Sequence, residues 1–229
     1  MLFLLSLQVF AQDRIEGDTS RHKFLPTGIR IGTDILAIGK SYYVNHYNTT
    51  RSFNGWEINV DADFYRRFYA AVDFGSWTSG YALGNGYYST DGRYFRIGVD
   101  VNFLLKDPDR NMFFVGLRRG HSTFNDYTDF SFADPTYGQI DMHVGNNDAK
   151  SNWNELTTGL RVKVWKNVWL GATGRIKFGL TRKGQDNLLS YEVPGYGRTF
   201  KTSWYGLNYQ VFFRIPVRED KKPESISLK

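Results

Sequence analysis

The sequence predicts an all-β protein, an eight-stranded antiparallel transmembrane β-barrel with short periplasmic turns and long extracellular loops. Three observations lead there. Apolar and polar residues alternate with period two along most of the chain, and a helical period is hard to find anywhere. The alternating segments are each about 10–14 residues long, close to what a tilted strand needs to cross a bilayer. Between them, short and long connections alternate strictly, as periplasmic turns and extracellular loops do in outer-membrane barrels.

The segments are 28–38, 55–65, 68–77, 93–104, 112–121, 153–165, 168–180 and 201–217. The seventh shows the split best, with Val168, Leu170, Ala172, Gly174, Ile176, Phe178 and Leu180 on one face and Thr173, Arg175 and Lys177 on the other. The fourth sets Phe95, Ile97, Val99, Val101 and Phe103 against Arg96, Asp100 and Asn102. Segments two and three join through Tyr65-Arg66-Arg67-Phe68, and six and seven through Trp165-Lys166-Asn167. Segments four and five join through Lys106-Asp107-Pro108-Asp109-Arg110-Asn111, which has the composition of a turn. The remaining connections, 39–54, 78–92, 122–152 and 181–200, are long. Both termini then fall on the periplasmic side, and an even strand number closes the sheet so that no edge meets lipid.

Composition narrows the class. The 229 residues carry a net charge of +6 and no cysteine, which excludes disulfides, thiolate metal sites, Cys nucleophiles and a lipidated bacterial N-terminus. No run of roughly 18 apolar residues exists, so a helical span is excluded. A mean hydropathy of −0.45 suits a barrel as well as a soluble protein, because inward and lipid-facing residues cancel. Residues 1–11 read as a signal peptide, with Val9-Phe10-Ala11 before a polar Gln12. A periplasmic tail (12–27), the barrel (28–217) and a polar C-terminal tail (218–229) follow, which places the chain in a Gram-negative outer membrane.

If the apolar face points to lipid, the charged face lines the interior. That face collects the acids Asp34, Glu57, Asp61, Asp63, Asp73, Asp100 and Glu155, and the bases Arg30, Arg96, Arg118, Arg161, Lys163, Arg175, Lys177 and Arg214. Eight strands leave room only for side chains. The expectation is a sealed lumen held by an ion-pair network built on Asp61, Asp63, Asp73, Asp100, Arg96, Arg161, Lys163, Arg175 and Lys177. A lipocalin-like soluble barrel would alternate too, with its apolar face inward. Two aromatic belts argue for the membrane. Phe64, Phe68, Phe103, Phe113, Trp165, Trp169 and Phe213 lie near the short-turn rim, and Trp56, Trp77, Tyr94, Trp153 and Trp204 near the long-loop rim.

Several stretches resemble one family of Bacteroidota outer-membrane barrels, catalogued as domain of unknown function 6048. They are Tyr94-Phe-Arg-Ile-Gly-Val-Asp-Val-Asn102, Phe114-Val-Gly-Leu-Arg-Arg-Gly-His-Ser-Thr-Phe124, the run from Trp153 to Gly171, Val193-Pro-Gly-Tyr-Gly-Arg-Thr-Phe200 and the end of the last strand near Pro216. The resemblance spans about 28–217. It implies an outer-membrane barrel and no known activity, and the loops, notably 130–150, are where it carries least.

Some eight-stranded barrels modify lipid A with Ser, His and a carboxylate at the outer rim, and His121, Ser122, Thr123 and Glu155 form the corresponding set here. His46 and His143 stand in different loops without paired ligand spacing, so no metal and no cofactor is expected. The bases are spread over lumen, rims and tail, which argues against nucleic acid. Two features suit an interaction. Tyr191, Pro194, Tyr196 and Arg198 combine interface-anchoring types with turn formers, and Arg119 shares the outward parity of Leu117, where it would meet lipopolysaccharide phosphates. The functional expectation is a non-enzymatic barrel in contact with outer-membrane lipid, acting as a structural or interaction component. Its partner would be an outer-membrane or surface lipoprotein, in a complex such as one serving outer-membrane protein assembly. The alternative is a lipid A-modifying hydrolase using His121.

Overall fold

The computed structural model describes residues 26–65, 67–104 and 107–217; the expected signal peptide and C-terminal tail, and the N-terminal tail up to residue 25, lie outside them. The elements are β1 (Gly28–Asp34), α1 (Ile35–Tyr47), β2 (Arg51–Tyr65), β3 (Phe68–Leu83), β4 (Gly86–Asn102), β5 (Met112–Asp134), β6 (Gly138–Trp165), β7 (Val168–Lys183), the two-residue β8 (Glu192–Val193) and β9 (Gly197–Arg198), and β10 (Ser203–Pro216). Eight of the strands form one closed antiparallel barrel in the order β1-β10-β7-β6-β5-β4-β3-β2, and β8 and β9 pair with each other.

Parity decides which way each side chain points. Along β4, Phe95, Ile97 and Val99 are exposed while Arg96, Asp100 and Asn102 are buried. Along β5, Phe113, Val115 and Leu117 are exposed and Arg118 is buried. The outer surface therefore carries a continuous apolar band. It runs from Phe64, Phe68, Phe103, Phe113 and Trp165 at the short-turn rim to Trp56, Phe74, Phe95 and Leu156 above. Every barrel strand except the seven-residue β1 is long enough to cross it in the roughly nine residues a tilted membrane strand requires.

The upper belt differs from the sequence expectation. Tyr94 and Trp153 are buried inside the barrel, with Trp77 and Trp204 packed against them, and only Trp56 of that set is exposed. Trp169 is likewise buried and donates its indole N–H to the Asp109 carbonyl at 3.3 Å. Their parity explains this: Tyr94 alternates in phase with Arg96, and Trp153 with Glu155.

Three of the long connections are also more ordered than loops. β3 and β4 stay paired up to Leu83 and Gly86, and β5 and β6 up to Asp134 and Gly138. Past Leu117, β5 runs on the order of 50 Å further along its strand, at about 3.3 Å per residue. Near its tip Ser131 and Gln139 hydrogen-bond the Asp141 carboxylate and hold it below its usual range.

The connection after β1 is a helix, which the period-two reading did not anticipate. β1 ends at Asp34, whose side chain accepts from the Leu36 N–H at 3.0 Å and caps α1. Above that point the wall between β2 and β10 holds no strand. α1 stands in its place and completes the β2 edge with side chains one turn apart. Ser41 Oγ accepts from Gly55 N–H at 3.0 Å, and Asn45 accepts from Phe53 N–H at 3.0 Å and donates to the Phe53 carbonyl at 2.8 Å.

Candidate functional site

The lumen is built from the inward parity of all eight barrel strands, and seven of them supply its charged side chains. Near the short-turn end Arg30 pairs with Asp61 at 2.8 Å, and Arg161 reaches the same carboxylate at 2.7 Å from across the barrel. Arg161 also lies 3.5 Å from Asp100, which Arg118 holds at 3.0 Å. Arg118 continues to Asp73, and Arg175 meets Asp73 at 3.1 Å and Glu155 at 3.0 Å. Arg96 closes the series on Glu57, which also accepts from Tyr94 Oη at 2.7 Å. Five carboxylates and five guanidiniums thus form one continuous ladder, every member buried. Such a ladder resists dissection, because removing one charge strands its partners without water.

Below the ladder the lumen is greasy. Met112, Phe114 and Phe212 are fully buried, and the Arg161 guanidinium sits 4.7 Å from the ring centres of both Phe114 and Phe212. These residues were hidden in the sequence because 112–115 is apolar on both faces.

Three members expected in the ladder stand outside it. Lys163 has inward parity but lies at the end of β6, next to a register shift between Lys163 and Trp165. It pairs at 2.9 Å with Asp109 of the turn, with side-chain exposures of 32% and 59%. Asp63 sits at the same rim and accepts from the backbone N–H groups of Thr27 and Gly28 at 2.8 and 3.0 Å, fastening the start of β1. Lys177 is buried but makes no ion pair among the described residues. Its ammonium donates to the carbonyls of Gly195 and Tyr196 at 2.6 and 3.1 Å.

Those carbonyls belong to the segment expected to face a partner. Instead it folds into the barrel mouth as a small β8–β9 hairpin. Pro194 and Tyr196 are buried, and Tyr191 and Arg198 are half-buried. Glu192 accepts from Ser79 Oγ at 2.5 Å and Tyr81 Oη at 2.6 Å. Tyr191 packs edge-on against both Tyr81 and Tyr88 at 5.7 Å, and Arg198 lies 5.6 Å from the Tyr191 ring. Gly195 has φ +79°, and a Cβ there would come within 2.5 Å of the Tyr94 ring, so only glycine fits. Tyr94, Phe124, Ala149, Trp153, Val193 and Tyr196 form the apolar core of this plug. A residue packed this way is not a free contact for an outside partner; the turn formers Pro194 and Gly195 serve an inward turn.

The outer-rim set is divided by the sheet. His121 is on the outer face, its Nδ1 2.9 Å from Asn152 Oδ1 and its Nε2 3.4 Å from Thr123 Oγ1. Ser122 and Glu155 point inward, where Ser122 donates to the Arg93 carbonyl and Glu155 accepts from Trp153 Nε1 at 2.7 Å and Arg175. Neighbours in sequence lie on opposite faces of a strand, so the sheet separates His121 and Thr123 from Ser122 and Glu155. Arg119 is exposed on the outer face and donates to Asn154 at 2.8 Å.

One cavity reaches the ladder from the side. Of about 230 Å³, it opens in the strand-free part of the wall between α1 and β10. Leu36, Ala37 and Lys40 of α1 form one side and Trp204, Tyr205 and Leu207 of β10 the other, with Glu57, Trp77, Arg96 and Lys177 at the inner end.

Comparison with solved structures finds the N-terminal β-barrel domain of Pseudomonas aeruginosa OprF, at 11% identity and a TM-score of 0.36, covering 83% of this chain and 98% of that one. Acinetobacter baumannii CarO matches at 10% identity and a TM-score of 0.40, covering 82% and 97%. Neither likeness bears on what this chain does. Among curated proteins nothing matches. The family model catalogued as Domain of unknown function (DUF6048) matches residues 1–220, and the chain belongs to that family.

Proposed function

We propose that this chain is a non-enzymatic integral outer-membrane barrel, in a Bacteroidota envelope, that acts through its outer surface as a structural or interaction component. The observation that carries the reading is the combination of a continuous outward apolar band with a lumen filled by a buried ion-pair ladder and stoppered by the β8–β9 plug. A barrel so filled offers no path for solutes. What remains is its outside, and the β5–β6 hairpin projects far beyond the band. Phe130, Phe132 and Met142 are exposed together on that hairpin, with Tyr137 at its tip. Exposed apolar residues clustered on a rigid projection suit a protein partner. We place the chain in a larger outer-membrane complex, one serving outer-membrane protein assembly, with an outer-membrane or surface lipoprotein as its neighbour.

The test is a tagged chain purified from its native outer membrane in mild detergent, beside a Phe130→Ser/Phe132→Ser variant. A stoichiometric partner that the variant loses is the expected result. A lone monomer in both preparations would overturn the complex reading.

A further inference from the structure

We propose that the side cavity between α1 and β10 is a binding site for an anionic amphiphile with a single alkyl chain, entering from the surrounding lipid. The site rests on the reading of the barrel as membrane-embedded.

Hydrogen-bond donors and acceptors around the cavity do not balance. The carboxylates at the cavity are already occupied: Asp34 accepts from Leu36 N–H, Tyr209 N–H and Asn208, and Glu57 from Tyr94, Arg96 and Asn59. The donors are not. Among the described residues Trp77 Nε1 is buried without an acceptor, and so are Nε and Nη1 of Arg96, whose Nη1 has carboxylates at 3.7 and 3.8 Å. Among the described residues Lys40 at the mouth has no carboxylate within ion-pair distance; its ammonium lies 3.7 Å from the Phe53 ring centre and 4.9 Å from that of Trp77. Buried donors in surplus call for an acceptor, and cations among them call for an anionic one.

The walls specify the rest of the ligand. Leu36, Tyr205 and Leu207 border the opening, the last two at 69% and 67% exposure on the lipid-facing side. While α1 completes the β2 edge, no hydrogen bond among the described residues joins α1 to β10. The seam on that side is therefore held by apolar contact, which an alkyl chain can share. The volume lies below the ~300 Å³ at which drug-sized pockets begin. It holds an oxyanion head and the first part of one chain, with the remainder staying in the bilayer.

The experiment uses the full chain inserted in phosphatidylcholine nanodiscs and titrated with dibromostearate, whose bromines quench the tryptophans lining the cavity. Saturable quenching at one acid per barrel is expected, with little from the methyl ester and no competition by butyrate or inorganic phosphate. Trp77→Phe keeps the ring and removes the donor, and should weaken binding about tenfold. Ala37→Trp should block the opening and abolish saturation. Equal, unsaturable quenching by acid and ester, unchanged in both variants, would overturn the site and leave the membrane reading standing. Competition by inorganic phosphate equal to that by the acid would overturn the amphiphile in favour of a small anion. Recovery of the native chain from the soluble fraction would overturn both.

Discussion

Asp73 is the junction of the ladder, and Asp73→Asn is the substitution that tests whether the ladder holds the barrel together. Its carboxylate accepts from Arg118, from Arg175 at 3.1 Å and from Asn59 at 2.7 Å, and Arg96 lies 3.8 Å away. Two guanidinium nitrogens on one carboxylate oxygen are no more than about 6 Å apart. With the negative charge gone, unit charges at that distance repel by roughly 3 kcal/mol at an effective dielectric of about 20. Measured losses of one partner of a buried pair are about 3–5 kcal/mol, so the two routes agree. The assay is reversible denaturant unfolding in lipid vesicles, with the gel-mobility shift between heated and unheated samples as a folding check. Arg175→Gln added to Asp73→Asn removes one stranded cation and should recover at least half the loss, a coupling that contacting residues show and distant ones do not. Lys163→Ala, on the exposed Asp109 pair, should stay within about 1 kcal/mol of the native chain. An Asp73→Asn barrel as stable as the native one would show that the ladder does not hold the barrel together.

Other consequences are as direct. Ser41→Ala with Asn45→Ala uncovers the β2 edge at Gly55 and Phe53, at about 1 kcal/mol per hydrogen bond; hydrogen exchange at those two amides should accelerate while Val60 stays protected. Gly195→Ala places a methyl against Tyr94 at a positive φ and should unseat the plug, read as new protease sensitivity between Leu189 and Arg198. Leu160→Arg, on the outer band, should cost about 2–4 kcal/mol if that band lies in hydrocarbon, and almost nothing if it meets water. His121→Ala should leave the lipid A profile unchanged by mass spectrometry.

Much of the barrel was legible because one rule, alternation, governs it. Asp61, Asp73, Asp100, Arg96, Arg161 and Arg175 fall inside because their parity opposes that of Ile58, Val72, Ile97, Leu160 or Ile176 on the same strand. The same rule places Tyr94 and Trp153 inside, and it was their aromatic character that suggested a membrane belt. Past the band the signal fades. In 122–134 both faces are polar or aromatic, so the paired hairpin reads as loop although its backbone ladder, with one register shift between Phe124 and Asp126, runs on to Asp134. Lys163 has the right parity and the wrong height, which alternation does not encode. Helix α1 hides behind Ile35, Leu36, Ile38, Tyr42 and Tyr43, apolar on several sides. Its polar residues Lys40, Ser41 and Asn45 turn to the barrel wall while apolar residues face outward, so the helix lacks the usual pattern of a polar outer face, and the available sign was the cap at Asp34. The plug depends on the meeting of 187–199 with Ser79, Tyr81 and Tyr88, a contact distant in sequence and invisible to any local pattern.

Single-channel recording on the purified chain in planar bilayers tests the account at its centre, the filled lumen. With insertion verified by the heat-dependent gel shift, no steady conductance is expected of the native chain. A large, steady, ohmic conductance from the native barrel would contradict it.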